Sequence, residues 1–105
     1  MESKAGELAF GPPHPGEYIK EDILPALNMN ATQLADHLGV SKQTVSNILN
    51  GKRPLSTDMA VRLGKAFRNG GRFWLALQMQ HDLWFAERKG GTPVKPIDWS
   101  DDRAA

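Results

Sequence analysis

Ser41-Lys42-Gln43-Thr44-Val45-Ser46-Asn47-Ile48-Leu49-Asn50, followed by Gly51-Lys52-Arg53, is the stretch that decides how this chain folds. At about 100° per residue, Val45, Ile48 and Leu49 converge on one side of a helix, which leaves Gln43, Asn47 and Asn50 on the other. Ser41 is placed to cap that helix and Gly51 to end it. The apolar side demands a core. The outer side is rich in amides and carries no acid, whereas a plain solvated helix face more often carries Glu and Lys. Gln and Asn pair bidentately with adenine edges, and Lys42, at the helix start, suits guanine O6 and N7. Thr44 and Ser46 flank this face, within reach of phosphate or a thymine methyl. Lys52 and Arg53 stand just past the helix, placed to neutralise backbone phosphates.

Upstream, Asn30 followed by Gln33 reads as a capping box, Leu34, Ala35 and Leu38 recur one turn apart, and Gly39 ends the segment. A helix, a tight turn at Gly39 and a short outward-reading helix make a helix-turn-helix. An earlier helix is predicted to start at Pro15 and to be closed by Pro25, with Ile19, Ile23 and Leu24 as its apolar face. Downstream, Thr57-Asp58 is predicted to cap a fourth helix with Met59, Ala60, Leu63 and Phe67 on one face, stopped by Asn69-Gly70-Gly71. A fifth helix is predicted from about Phe73 to Lys89. No stretch alternates with a period of two and β-branched enrichment, so no sheet is expected.

The expected fold class is therefore all-α: a five-helix domain over residues 14–89, its last helix (72–89) serving a dimer or partner. A flexible N-terminal arm (1–13) ends in Gly11-Pro12-Pro13, and a C-terminal tail (90–105) opens with Gly90-Gly91 and holds Pro93, Pro96 and Trp99. The tail either docks as an extended strand on a partner or is disordered.

A chain of 105 residues is sized for one core. It has no cysteine, so disulfides and thiolate metal cages are excluded and a cytoplasmic setting is the default. No run approaches the roughly 20 apolar residues of a membrane span, and Met1 to Phe10 carry no targeting signal. A net charge of +1 is low for a protein that meets a polyanion. The average conceals an asymmetry: between Gly39 and Arg72 stand Lys42, Lys52, Arg53, Arg62, Lys65, Arg68 and Arg72 against the single acid Asp58. Enzyme chemistry lacks its parts, because Ser41 and Ser46 have no nearby histidine base and no Gly-rich loop follows a strand; no catalytic residue and no cofactor are expected. No metal site is expected either. His14, His37 and His81 lie in separate segments, and Asp82, next to His81, diverges from it by about 100° around the helix.

The segment Asn30 to Pro54, with Leu34-Ala35, Leu38-Gly39-Val40-Ser41, Thr44-Val45-Ser46, Ile48-Leu49 and Asn50-Gly51-Lys52, resembles the phage-repressor (XRE) type of helix-turn-helix. The flanks His14-Pro15-Gly16-Glu17-Tyr18, Met59-Ala60-Val61-Arg62-Leu63, Phe73-Trp74-Leu75-Ala76-Leu77-Gln78 and Asp82-Leu83-Trp84 are similar to HigA antitoxins. The resemblance implies a homodimer that binds a palindromic operator in its own promoter, on double-stranded DNA, and neutralises a HigB toxin, an mRNA-cleaving ribonuclease of the RelE type. It implies base-reading positions at Lys42, Gln43, Thr44 and Asn47 and phosphate-facing positions at Ser41, Asn50, Lys52 and Arg53. The chain departs from the family pattern at Asn69-Gly70-Gly71-Arg72, where a Gly-Thr/Ser-x-Glu-type cap is usual, and at His81, where tyrosine is common. Two other functions stay open at this level: a phage-type repressor without a toxin partner, and a protein-interaction bundle that never touches DNA.

On a helical wheel the fifth helix has two apolar sectors. Phe73, Leu77, Trp84, His81, Trp74 and Phe85 occupy one, and Leu75, Ala86, Met79, Leu83 and Ala76 the other, with Gln78 and Asp82 on one border. Two apolar faces need two surfaces to cover them, which makes Leu75, Met79, Leu83, Trp84 and Phe85 candidates for a dimer or toxin interface. The alternative is a central helix wrapped by the others and by the Trp99 tail. A dimer also suits DNA, since two reading helices about 34 Å apart meet successive major grooves.

Overall fold

Residues 11–90 and 93–99 are described by the structure, a computed structural model. Five helices follow one another: α1 (15–27), α2 (Ala31–Leu38), α3 (Lys42–Leu49), α4 (Thr57–Phe67) and α5 (Gly71–Lys89). Among the described residues there is no strand, and no helix is long and apolar enough to cross a membrane.

Helix α1 starts as expected and ends later. His14 caps it, its Nδ1 accepting the Gly16 N–H at 3.0 Å, and Pro15 takes the first turn, where a missing N–H costs nothing. Pro25 does not close the helix, contrary to the sequence expectation, because the turn before it is wound wide. Residues Ile19–Ile23 form a π-helical turn in which the Leu24 N–H reaches back five residues to the Ile19 carbonyl. After that widened turn, Pro25 falls at the start of a fresh α-turn, Leu24–Leu27, where neither its absent donor nor its ring is a defect. The chain then leaves through Asn28 at φ 54°, a left-handed position that asparagine tolerates.

The next two helices follow local chemistry closely. Asn30 Oδ1 accepts the Gln33 N–H at 2.8 Å while Gln33 Oε1 accepts the Asn30 N–H at 2.9 Å, a complete capping box. Gly39 at φ 75° turns the chain, and Ser41 Oγ caps α3 by accepting the Thr44 N–H at 3.0 Å. The cap of α4 is Ser56, one residue ahead of the expected Thr57-Asp58. Ser56 has the extended backbone a cap needs and its Oγ accepts the Met59 N–H, whereas Thr57 is already helical. Helix α4 stops at Phe67, with Arg68 at φ 62°, and α5 begins at Gly71, two residues before the expected start. A Cβ on Gly64 would come within 2.3 Å of the Gly70 and Gly71 backbone, so this tight turn depends on bare backbone at Gly64.

The core draws on every helix: Ile19 from α1, Leu34 from α2, Val45 from α3, Leu63 from α4 and Trp74 from α5 are almost wholly buried. Each such side chain contributes about 1.5–3 kcal/mol by leaving water. Trp74 also satisfies its one donor, giving its indole N–H to Asn69 Oδ1 at 2.8 Å. Of the stretch expected as a flexible arm, Gly11 lies against the Trp84 ring, where an added Cβ would come within 2.6 Å; residues 1–10 lie outside the described part. Residues 93–99 of the expected tail are non-helical, with Val94, Ile97 and Trp99 exposed.

Candidate nucleic-acid interface

Helix α3 is held from behind and open in front. Val45 and Ile48 are 2% and 3% exposed, and Leu49 is half-buried beside them. The start of α1 presses on its backbone: a Cβ on Gly16 would stand 1.8 Å from the Ile48 carbonyl oxygen. Behind the turn, Arg62 of α4 donates through Nη1 to the Leu38 carbonyl at 2.7 Å while its Nε bonds Asp58 Oδ2 at 2.8 Å. One of the seven basic residues of the central stretch is thus engaged in fixing the end of α2. It was legible as charge, but its role was not.

In front, Ser41, Lys42 and Gln43 are exposed, and Thr44, Ser46 and Asn47 are half-buried. Gln43 Nε2 donates to Asn47 Oδ1 at 3.0 Å, which couples the two amides and leaves Gln43 Oε1 as an acceptor and Asn47 Nδ2 as a donor. An acceptor beside a donor matches the N6 amine and N7 of adenine. Thr44 is brought against the cap, its Oγ1 lying 2.8 Å from Ser41 Oγ. At the other end, Asn50 Nδ2 donates to Ser46 Oγ and Asn50 Oδ1 accepts from Lys20 Nζ, both at 3.4 Å. Lys20 therefore adds a positive charge to this end of α3, and sequence reasoning missed it. Nothing distinguishes a lysine on α1 from any other surface lysine until the helices are packed.

Lys52 and Arg53 are exposed on the loop that leaves α3, and the loop is tied down. The Lys52 N–H bonds the Asn47 carbonyl at 2.8 Å, and further on the Leu55 N–H donates to Gln78 Oε1 of α5 at 2.8 Å. Gln78 is buried, although its wheel position reads as a border. Its Nε2 bonds Asp82 Oδ1 at 2.9 Å, which also lies 3.0 Å from His81 Nδ1. His81 meets the His14 ring edge-on at 5.1 Å, so two histidines from separate segments come together. Burial holds the His14 pKa below its ordinary 6.5, helped by the neighbouring His81 and opposed by Asp82, Glu17 and the Arg53 carbonyl. Among the described residues no three His, Asp or Glu side chains converge as a metal site.

Helix α5 buries Trp74 and Gln78 but is not wrapped all round. Met79 is 59% and Leu83 53% exposed, Phe85 is exposed, and Leu75 and Trp84 are half-buried. Trp84 stacks under the Arg88 guanidinium, 4.1 Å from the ring centre, and edge-on to Phe85. Trp99 is exposed as well.

Residues 19–72 match the helix-turn-helix family HTH_3. The chain is 51% identical over 73 residues to virulence-associated protein A' of Dichelobacter nodosus, covering 69% of this chain and 63% of that protein's length. A solved structure of an addiction module antidote protein of a HigA family from Coxiella burnetii superposes with a TM-score of 0.75 at 40% identity, covering 83% of this chain and 99% of that one. The Pseudomonas aeruginosa antitoxin HigA, solved with the higBA promoter, superposes at 0.74 with 33% identity, covering 83% and 99%.

Proposed function

The chain belongs to the phage-repressor type of the helix-turn-helix family, and on that premise we propose that it is a sequence-specific DNA-binding antitoxin that represses its own operon and neutralises a HigB-type mRNA interferase. The observation that carries this reading is the front of α3: a coupled Gln43–Asn47 amide pair with Lys42 beside it, standing on a buried Val45 and Ile48. Lys42, Gln43, Thr44 and Asn47 face base edges. Ser41, Ser46, Asn50, Lys52 and Arg53 face phosphate, fixing register without reading sequence. The partner is double-stranded DNA in the cytoplasm, and the protein works by binding rather than by catalysis.

Two copies form a symmetric dimer, so that two α3 helices about 34 Å apart read the halves of a palindrome. The uncovered side of α5, with Met79 and Leu83, and the neighbouring Leu75, Trp84 and Phe85 supply the surfaces for the second copy and for the toxin.

Shift assays on the DNA upstream of its own gene, with and without the product of the neighbouring reading frame, test the whole proposal. Binding that falls steeply with salt supports the DNA half, because neutralising phosphate releases counterions. Capture and silencing of a small ribonuclease encoded next door supports the antitoxin half. DNA binding with no such neighbour would leave a repressor without a toxin, and absence of DNA binding would leave a protein-interaction bundle.

A further inference from the structure

Among the described residues two polar side chains are buried in the core, His14 and Gln78. They come from the cap of α1 and the second turn of α5, and both act on the same short piece of backbone. Gln78 Oε1 accepts the Leu55 N–H at 2.8 Å. The His14 ring lies near enough to the Arg53 backbone to feel it electrostatically, and since its Nδ1 already accepts from Gly16, Nε2 is the ring nitrogen left to turn toward that carbonyl. Pro54, which has no N–H, stands between the two anchored positions. The anchors are joined behind the loop, because Gln78 bonds Asp82, Asp82 lies against His81, and His81 packs on His14. The result is a closed ring of contacts around residues 53–55.

Stability alone does not call for such a ring. A buried polar pair is about neutral against apolar side chains of the same shape, and removing one member leaves a group unsatisfied. What the ring does accomplish is to fix the backbone that presents Lys52 and Arg53. Resting on the DNA-binding reading above, we propose that His14 and Gln78 are positioning residues for DNA: they hold the loop after α3 so that its cations meet the phosphate backbone.

Two variants separate positioning from mere support. Gln78→Met keeps the length and loses the acceptor for Leu55. His14→Asn keeps an oxygen to cap Gly16 but gives up the reach to Arg53. Binding of each to the DNA upstream of the gene, and to an unrelated duplex of equal length, is measured over a range of salt. Each variant should bind both duplexes on the order of tenfold more weakly, the loss of about one hydrogen-bonded anchor. The salt dependence should become shallower by about one phosphate contact. Arg53→Ala should also cost less in the Gln78→Met background than in the wild type, because its contact is already lost.

A lower melting temperature with wild-type affinity, wild-type salt slope and an undiminished Arg53→Ala effect would overturn the proposal. If Gln78→Met does not fold, His14→Asn decides alone, and loss of folding in both would overturn it by making the pair simple supports. Failure of the wild type itself to bind the upstream DNA would instead sink the functional reading on which this rests.

Discussion

Helices α3 and α5 both leave part of their surface uncovered, but they do so with opposite chemistry. The front of α3 is polar and already internally paired through Gln43 and Asn47, so it sits in water without penalty until it meets a partner rich in hydrogen-bonding edges. The uncovered side of α5 shows Met79 and Leu83, which water disfavours and only another apolar surface relieves. One helix shows water a polar face and the other an apolar one. On the proposed function, sequence reading falls to α3 and assembly to α5, and perturbing each should produce a different failure.

The largest effect is expected where α3 loses its seat. Gly16→Ala drives a methyl group into the Ile48 carbonyl, which is backbone and cannot rotate away. It should destabilise the fold by on the order of 3 kcal/mol in denaturant titration and impair DNA binding with it. Wild-type stability would mean that α1 does not support α3 as described.

Next comes assembly. Leu83→Asp should weaken the dimer by about 2–4 kcal/mol, read by sedimentation over a concentration series. Stability of the single chain should change little, since Leu83 is more than half exposed. An unchanged dimer would move the interface elsewhere. Arg53→Ala should be milder and indiscriminate: specific and random duplexes weaken alike and the salt slope falls by about one. A loss confined to the specific duplex would make Arg53 a base reader.

The smallest effect concerns pH. Because the folded His14 pKa lies below 6.5, the unfolded chain takes up a proton that the folded chain refuses. Stability should therefore fall as pH drops from above 6.5 toward the lowered value and change no further from this group below it. The groups facing the ring are His81, Asp82, Glu17 and the Arg53 carbonyl. His14→Asn should flatten that part of the melting-temperature profile, and an identical profile would remove His14 from the account.

What could be read from residues in order is what residues three or four apart decide among themselves. The Asn30–Gln33 box, the Gly39 turn, the Ser41 cap and the inward pair Val45 and Ile48 all depend on such neighbours, and all were legible. The interior placement of Pro25 was not, because it depends on a widened turn that leaves no mark on apolar spacing. Gln78 reads as a border residue on its own helix, and only Leu55, 23 positions away, makes it a buried anchor. Lys20 at Asn50 and His14 at His81 are likewise products of packing between helices. The polar outer face of α3 was thus visible early, while the groups that hold the helix in place were not.

The most direct test removes both amides at once and compares two affinities. With Gln43→Ala and Asn47→Ala combined, the ratio of binding to the upstream duplex over an unrelated duplex should collapse toward unity while the salt slope on the unrelated duplex stays that of the wild type. If the double variant keeps its preference for the upstream sequence, α3 is not the helix that reads it.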